Sequence, residues 1–311
     1  MKPIAAEGLG PFKVSGEHVA VLTDRKLVLL VRKLINAEAL SEGIGMDRIH
    51  IASNVTEPDG GEDGRIEWSE GPERTRFLPS RLCQFQMKTT EISPAEAGDD
   101  VIDAAGGVKS MVQSVLSAGG TYVMMCGRSY AKKKIESRET AIRKRLVAAG
   151  MTVSANQIQF RDADQIADWV NTHPPVAAWL LQETQPGLVG PFRDWLHWAG
   201  RHEYDSSPWI PDGRLDDFRD RLRAQVTPVR GVARVVGLSG RGKSRLTLEA
   251  LGPTTEEERT KIRLCDLVLY AVEQEAGSET VKAIVQNLVD AGLRAIVVVD
   301  RCPQELSLIH I

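Results

Sequence analysis

The sequence lacks the features that mark secreted, disulfide-rich and membrane-spanning proteins. Its four cysteines lie far apart without a C-x-x-C pair, which predicts reduced thiols rather than a disulfide framework or a zinc site. No apolar run approaches the roughly 20 residues of a membrane span, and the N-terminus has no long apolar segment typical of signal peptides. The net charge of −3 provides no overall field that attracts nucleic acid. These absences predict a cytoplasmic protein without a membrane partner, in which any contact with DNA comes from a local patch.

The most specific motif present is a phosphate-binding loop. Residues 237–244 read GLSGRGKS and fit the pattern G-x-x-x-x-G-K-[ST], between an apolar run at 232–236 and an amphipathic segment. Three glycines let the backbone wrap closely around phosphate groups; they are Gly237, Gly240 and Gly242. We expect Lys243 to reach the β- and γ-phosphates and Ser244 to ligate Mg²⁺. The loop therefore predicts binding of a nucleoside triphosphate, with ATP as the expected ligand.

A second candidate for the nucleotide site is Asp300, which ends the apolar run Ile-Val-Val-Val. An aspartate at the end of such a strand is the expected second anchor for Mg²⁺, a Walker B residue. Arg301 follows it, where many hydrolytic ATPases carry a second acid that orients water. We therefore expect a slow, switch-like nucleotide cycle rather than rapid hydrolysis.

The first 185 residues read as a small mixed α/β domain. With 311 residues, 42% of them apolar, the chain has room for about two domains with cores of their own. The predicted elements are a helix at 18–42, strands at 48–53, 64–68 and 82–89, a helix at 101–116, a strand at 121–126, a helix at 131–149, a strand at 158–160 and a helix at 164–170. This order is not the regular alternation of a Rossmann domain.

The rest of the chain reads as a connector and a second α/β domain. Residues 186–229 are rich in proline and tryptophan and contain one predicted helix at 215–225. Residues 230–311 alternate strands and helices, which predicts a parallel sheet; the strands are 232–236, 267–272 and 295–299. A P-loop domain needs more strands than three. We therefore expect a C-terminally truncated domain, with residues 307–311 foreign to the natural protein.

A third set of candidate residues lies in the first domain: Asp63, Gln86 and Lys88. Strand alternation places Gln86 and Lys88 on one face. An acid at a strand start, a metal-facing residue and a lysine two positions along can hold Mg²⁺ and activate water against a phosphodiester. Glutamine in place of an acid removes one negative ligand, so modest metal affinity is expected. Glu67 is a candidate accessory residue, and the competing interpretation is a set of ordinary polar residues on a sheet face.

These residues resemble the PD-(D/E)xK endonucleases, specifically the Mrr-like branch with Q-x-K. The resemblance covers roughly residues 10–185, in element order as well as in the motif, and Thr89 after the lysine is also similar. It implies a restriction-endonuclease-like fold, with Asp63 and Gln86 as metal ligands and Lys88 as the water activator.

A Q-x-K nuclease joined to a P-loop domain that reads VVGLSGRGKSRL and AIVVVDRCP is similar to the Avs-like STAND antiviral NTPases of prokaryotes. The resemblance implies that a C-terminal sensor, missing from this sequence, recognises a phage protein. The NTPase then oligomerises, and the nuclease cuts double-stranded DNA. One alternative is a signalling or scaffold NTPase with a dead nuclease domain, and another is a DNA-repair or restriction nuclease.

Further expectations concern geometry. The side chains of Asp63, Gln86 and Lys88 should converge on one cleft. Loss of the strand that normally separates 232–236 from 295–299 should leave a gap or a non-native pairing.

A basic cluster could contact DNA phosphates or form a solvated helix face; it comprises Lys132, Lys133, Lys134, Arg138, Arg143, Lys144 and Arg145.

Overall fold

The computed structural model of the chain describes residues 12–44, 48–51, 63–200, 213–228, 231–238, 240–253 and 263–301. It is a mixed α/β structure, as the sequence predicts, and one of its sheets combines parallel and antiparallel pairs. The described residues divide into two compact units, the first formed by residues 14–170 and the second by residues 12–13 and 171–301. The division falls before residue 185, where the sequence analysis places the end of the first domain. Several predictions reach beyond the described residues, among them the strand end at 52–53, connector residues 201–212, residue 239 of the phosphate loop and the tail at 307–311.

A five-stranded sheet organises the first unit. Its strands are β1 (Arg48–Ile51), β2 (Gly64–Glu67), β3 (Leu82–Lys88), β4 (Thr121–Cys126) and β5 (Ile158–Arg161), and they lie in chain order across the sheet. The first two neighbouring pairs are antiparallel and the last two are parallel. The predicted strands in this unit are therefore confirmed to within a residue or two at the described ends.

Six α-helices accompany this sheet among the residues that the structure describes. They are α1 (Gly16–Ala20), α2 (Asp24–Glu42), α3 (Pro94–Asp99), α4 (Ser110–Ser117), α5 (Lys132–Ala148) and α6 (Ala163–Val170). One core lies between α3, α4 and α5 and the sheet face of β4 and β5 that carries Tyr122, Met124 and Phe160. Cys83 and Cys126 are buried and free, in agreement with the prediction of reduced thiols.

Two predicted helices of this unit are wrong in extent, and the local backbone conformation explains both. The helix predicted at 18–42 is two helices, because Thr23 adopts an extended conformation and begins α2 as its N-cap residue. The helix predicted at 101–116 starts only at Ser110. Gly106 has φ 84°, and the Asp103 carboxylate accepts the backbone N–H groups of Ala105 and Gly107, which makes a turn instead.

Helix α3 is absent from the sequence-based assignment, although its start carries a recognisable signal. Ser93 is the N-cap residue, Pro94 occupies the first turn, and the side chains of Ser93 and Glu96 form a capping box. The Glu96 carboxylate accepts the Ser93 N–H at 2.7 Å, and this contact lowers the pKa of Glu96. Asp100, which directly follows α3, lies against the sheet, where it pairs with Lys88 of β3.

The second unit contains a three-stranded sheet of β6 (Arg193–Asp194), β7 (Val268–Val272) and β8 (Ile296–Asp300), in that order. Strand β6 is antiparallel to β7, and β7 is parallel to β8. The helices in the described part of this unit are α7 (Pro174–Thr184), α8 (Trp195–Ala199), α9 (Gly213–Val226), α10 (Lys243–Leu251), α11 (Glu273–Ala276) and α12 (Ser278–Asp290). Pro174 and Pro175 begin α7 rather than merely interrupting a helix, because proline is tolerated in a first helical turn.

The predicted strand at 232–236 is wrong. Residues 231–238 have no regular secondary structure, and the side chains of Val232, Val236 and Leu238 are more than half exposed. A strand needs a neighbour that accepts its backbone hydrogen bonds. Among the described strands, β8 pairs only with β7, so nothing joins residues 232–236 to the sheet. Part of the predicted connector instead belongs to the sheet, since β6 pairs with β7.

Candidate functional site

Asp63 and Gln86 meet across the β2–β3 pair. The antiparallel register places Gly64, the first residue of β2, opposite Phe85. Asp63, which immediately precedes β2, therefore lies beside Gln86. The Gln86 side-chain N–H donates to Asp63 Oδ2 at 2.7 Å, and the Met87 backbone N–H donates to the same oxygen at 2.6 Å. The structure therefore brings together two of the three residues predicted for the first site.

The oxygen atoms at this point suit a Mg²⁺ ion. Gln86 is buried, and its Oε1 has no hydrogen-bond partner among the described residues. An unsatisfied buried acceptor beside a carboxylate is the kind of oxygen pair that a hard cation takes as ligands. The described part of the chain holds no cluster of three or more His, Cys, Asp and Glu side chains that could bind a metal. Mg²⁺ usually keeps several of its waters and takes only one or two carboxylates from a protein.

Lys88 lies on the same face of β3, and an acidic residue holds its ammonium group. Lys88 Nζ is 2.6 Å from Asp100 Oδ1, and both side chains are partly buried. The Tyr122 hydroxyl donates to Asp100 Oδ2 at 3.3 Å. Asp100 immediately follows α3, and Tyr122 lies on β4 beside Gln84. Sequence reasoning missed Asp100 and Tyr122, because only the tertiary fold brings Asp100 to Lys88 and Tyr122 to Asp100.

The pKa of Tyr122 depends on Asp63 as well as on Asp100. Burial raises the pKa of Tyr122 well above its usual value of 10.0. The charge of Asp100 and the hydrogen bond to Asp100 raise this pKa further, and so does the charge of Asp63. Both carboxylates therefore act on one buried phenol. We call Asp63, Gln86, Lys88, Asp100 and Tyr122 the β3 cluster.

Two other predicted contributors lie outside the β3 cluster. Glu67 is opposite Leu82 at the far end of β2 from Asp63, and it pairs with Arg65 at 3.7 Å. Arg138 of the basic cluster is buried, donates to the carbonyls of Ile92 and Lys134, and lies 3.8 Å from the Tyr130 ring centroid. Arg138 therefore stabilises the core of this unit rather than meeting a DNA phosphate.

The phosphate loop closes on its own lysine. Gly240 and Gly242 have φ angles of 73° and 75°, a left-handed conformation that favours glycine. Helix α10 begins at Lys243, so the free N–H groups of its first turn point into the loop. Lys243 Nζ donates to the carbonyls of Gly237 and Leu238, both at 2.9 Å. The loop backbone thus curves around the ammonium group of Lys243.

Ser244 and Asp300 lie together, as a shared Mg²⁺ requires. Ser244 Oγ is 2.8 Å from each carboxylate oxygen of Asp300. The Arg301 backbone N–H donates to Asp300 Oδ1 at 2.9 Å, and Arg301 has a φ of 55°, a left-handed conformation that is uncommon for a residue with a side chain. The structure therefore brings the two predicted Mg²⁺ ligands into direct contact at the end of β8.

Tyr270, which the sequence pattern did not indicate as a site residue, contacts Asp300. The Tyr270 hydroxyl donates to Asp300 Oδ2 at 3.1 Å, and the Tyr270 ring is buried. It stacks on Trp198 with a centroid distance of 4.3 Å and an interplanar angle of 9°. The neighbouring Trp195 donates its ring N–H to the Leu248 carbonyl of α10 at 3.0 Å. Two tryptophans of α8 thus contact both the strand beside Asp300 and the helix of the phosphate loop.

None of the helices among the described residues is long and apolar enough to cross a lipid bilayer. Comparison of the chain with protein-family models, with curated proteins and with solved structures finds no match.

Proposed function

We propose that the chain is a Mg²⁺-dependent DNA endonuclease joined to a nucleotide-binding unit of the STAND type. The observation that carries the proposal is the contact between Asp63 and Gln86, which leaves Gln86 Oε1 buried and available beside a carboxylate. Lys88, two residues along the same strand face, supplies the third element of a Q-x-K site. The restriction-endonuclease-like fold is part of this proposal.

In this site Asp63 and Gln86 would hold Mg²⁺. The bound ion would polarise the scissile phosphate and lower the pKa of its water. The chain's own contribution is position and charge. Asp63 orients the Gln86 amide through its hydrogen bond, and Lys88 presents an ammonium group that steadies the attacking water or the charge developing on the phosphate.

The expected substrate is double-stranded DNA. The parallel register of β3 and β4 places Lys88 beside Cys126, at the carboxyl end of β4. The exposed side chain of Arg128 follows, and the exposed lysines 132–134 form the start of α5. A run of exposed cations beyond the same strand end provides the charge that phosphate contacts need.

The second unit would act as the switch that controls cleavage. Lys243 would bind the phosphates of ATP, and Ser244 and Asp300 would hold its Mg²⁺, with Gly237, Gly240 and Gly242 shaping the loop. Arg301, in place of a second acid, supports slow turnover. In this proposal the protein is cytoplasmic and defends prokaryotes against phages. A phage protein sensed by a further C-terminal region would promote homo-oligomers in which cleavage rises above the basal activity of the chain alone.

Plasmid cleavage tests the nuclease directly. The purified chain is incubated with supercoiled DNA and Mg²⁺, with and without ATP, and EDTA serves as the metal-free control. We expect nicking or linearisation that requires Mg²⁺ and disappears in Lys88→Ala. The matched control is Lys282→Ala, because Lys282 is a surface lysine of α12 that pairs with Glu279 at 2.8 Å.

Other outcomes identify the alternatives. Cleavage that persists in Lys88→Ala would exclude the β3 cluster as its source. Absence of cleavage by the parent chain under all conditions, with DNA binding retained, would favour the scaffold with a dead nuclease. Nucleotide turnover stimulated by DNA alone would favour a repair or restriction enzyme.

A further inference from the structure

Asp100 differs sharply from the aspartate beside it. The side chain of Asp99 is 64% exposed and pairs with Arg145 on the surface at 3.0 Å. The side chain of Asp100 is only 14% exposed, and each of its oxygens has a partner in the β3 cluster. Asp99 therefore forms a surface ion pair, whereas Asp100 pairs with Lys88 inside the β3 cluster.

The fold fixes where the Asp100 carboxylate lies. The Asp100 backbone N–H donates to the Glu96 carbonyl at 3.0 Å, so the residue closes helix α3. The start of α3 is held in turn by the Ser93–Glu96 capping box. The Tyr122 hydroxyl then holds Oδ2 from a ring that is buried in the core below.

The long Lys88 side chain needs a partner to hold its ammonium group in one position. A lysine ends in a compact ammonium group on a flexible four-carbon stem, and much of its freedom is lost only when a partner fixes that group. The ion pair at 2.6 Å is partly buried, so solvent and salt screen it less than a fully exposed pair. Asp100 thus restricts where the Lys88 ammonium can lie relative to Asp63 and Gln86.

We propose that Asp100 is a positioning residue of the nuclease, which holds Lys88 in place for DNA cleavage, and that Tyr122 fixes the Asp100 carboxylate. This inference rests on the proposed nuclease function. Asp100 contacts neither the substrate nor the metal in this scheme. Its effect passes through Lys88, so its loss should slow the chemical step while leaving DNA binding intact.

The test compares Asp100→Asn with Asp99→Asn. Single-turnover cleavage of a linear duplex in Mg²⁺ gives the rate of the chemical step. Fluorescence anisotropy with the same duplex in Ca²⁺ gives the affinity. We expect Asp100→Asn to lower the cleavage rate about 10- to 100-fold and to change DNA affinity less than about twofold. Asp99→Asn should match the parent in both, and Asp100→Glu, which keeps the carboxylate, should recover most of the rate.

Tyr122→Phe provides a second variant if Asp100→Asn fails to fold. It keeps the ring in the core and removes only the hydroxyl that holds Asp100, so we expect a loss of about three- to tenfold in cleavage rate. Parental rates in both folded variants would overturn the inference, as would a loss of DNA affinity as large as the loss of rate. The proposed function would survive either result if Lys88→Ala remains inactive, whereas a parent chain that never cleaves DNA would overturn both proposals.

Discussion

Replacing Asp63 with asparagine should separate two roles of this carboxylate, one in folding and one in cleavage. Its Oδ2 accepts hydrogen bonds from the Gln86 amide at 2.7 Å and from the Met87 backbone at 2.6 Å. Hydrogen bonds to a charged group contribute about 1.5–3 kcal/mol each, against about 0.5–1.5 kcal/mol for neutral pairs. Asparagine keeps one neutral acceptor oxygen. We therefore expect the free energy of unfolding of the first unit to fall by about 1–3 kcal/mol.

The effect of Asp63→Asn on cleavage should be much larger than its effect on folding. Changing residues that only support metal ligands costs about 10- to 100-fold in affinity or activity. Loss of the carboxylate proposed as a metal ligand should therefore reduce Mg²⁺-dependent cleavage more than about 100-fold. Urea unfolding followed by tryptophan fluorescence measures the first quantity, and single-turnover cleavage of duplex DNA measures the second.

Glu67→Gln is the matched control for Asp63→Asn. Glu67 is a second carboxylate associated with β2, but its partner is Arg65 and it lies at the far end of the strand. We expect this variant to cleave DNA at the parental rate. A folded Asp63→Asn variant that also cleaves at the parental rate would refute the assignment of Asp63 as a metal ligand. Equal losses in both variants would show that negative charge on the sheet, rather than a specific ligand, supports the activity.

Three further predictions concern the nucleotide site and a buried thiol. Lys243→Ala should weaken binding of a fluorescent ATP analogue more than about tenfold, since it removes the cation that faces the phosphates; unchanged affinity would contradict the proposed loop. Tyr270→Phe keeps the stack on Trp198 but removes a hydrogen bond to Asp300, so the free energy of unfolding should fall by about 1–2 kcal/mol, as urea denaturation can show. Burial raises the pKa of Cys83 from 9.0 to about 11. Because the folded pKa is the higher one, the stabilisation is complete below pH 9 and is lost as pH rises through about 11. Relative to Cys83→Ala, the parent should lose about 2–3 kcal/mol across that window, and parallel pH profiles would disprove this.

The sequence predicted those parts of the structure that depend on local pattern. Alternation along β3 was sufficient to place Gln86 and Lys88 on one face, and the phosphate-loop motif was sufficient to place Lys243 at the start of a helix. The ion pair between Lys88 and Asp100 could not be predicted in this way. It depends on how α3 returns to the sheet, which is a tertiary property.

Other differences arise from partners that a sequence pattern does not reveal. Residues 232–236 have the apolar composition of a strand, but no described strand lies beside them to complete the hydrogen bonds. A pair of prolines such as Pro174 and Pro175 commonly ends a helix. They begin α7 instead, since the missing N–H groups of proline cost nothing in a first turn. Tyr270 reads as an ordinary apolar strand residue until the fold places its hydroxyl against Asp300.

The central claim is that Asp63 and Gln86 hold the divalent cation used for DNA cleavage. The most direct test replaces Mg²⁺ with Fe²⁺ in the presence of ascorbate and peroxide, so that radicals formed at the metal cut the nearby polypeptide backbone. Mass spectrometry of the fragments should then show cuts close to residues 63 and 86–88 that excess Mg²⁺ suppresses. Cuts confined to the neighbourhood of Ser244 and Asp300, or none that Mg²⁺ suppresses, would contradict a metal site in the β3 cluster.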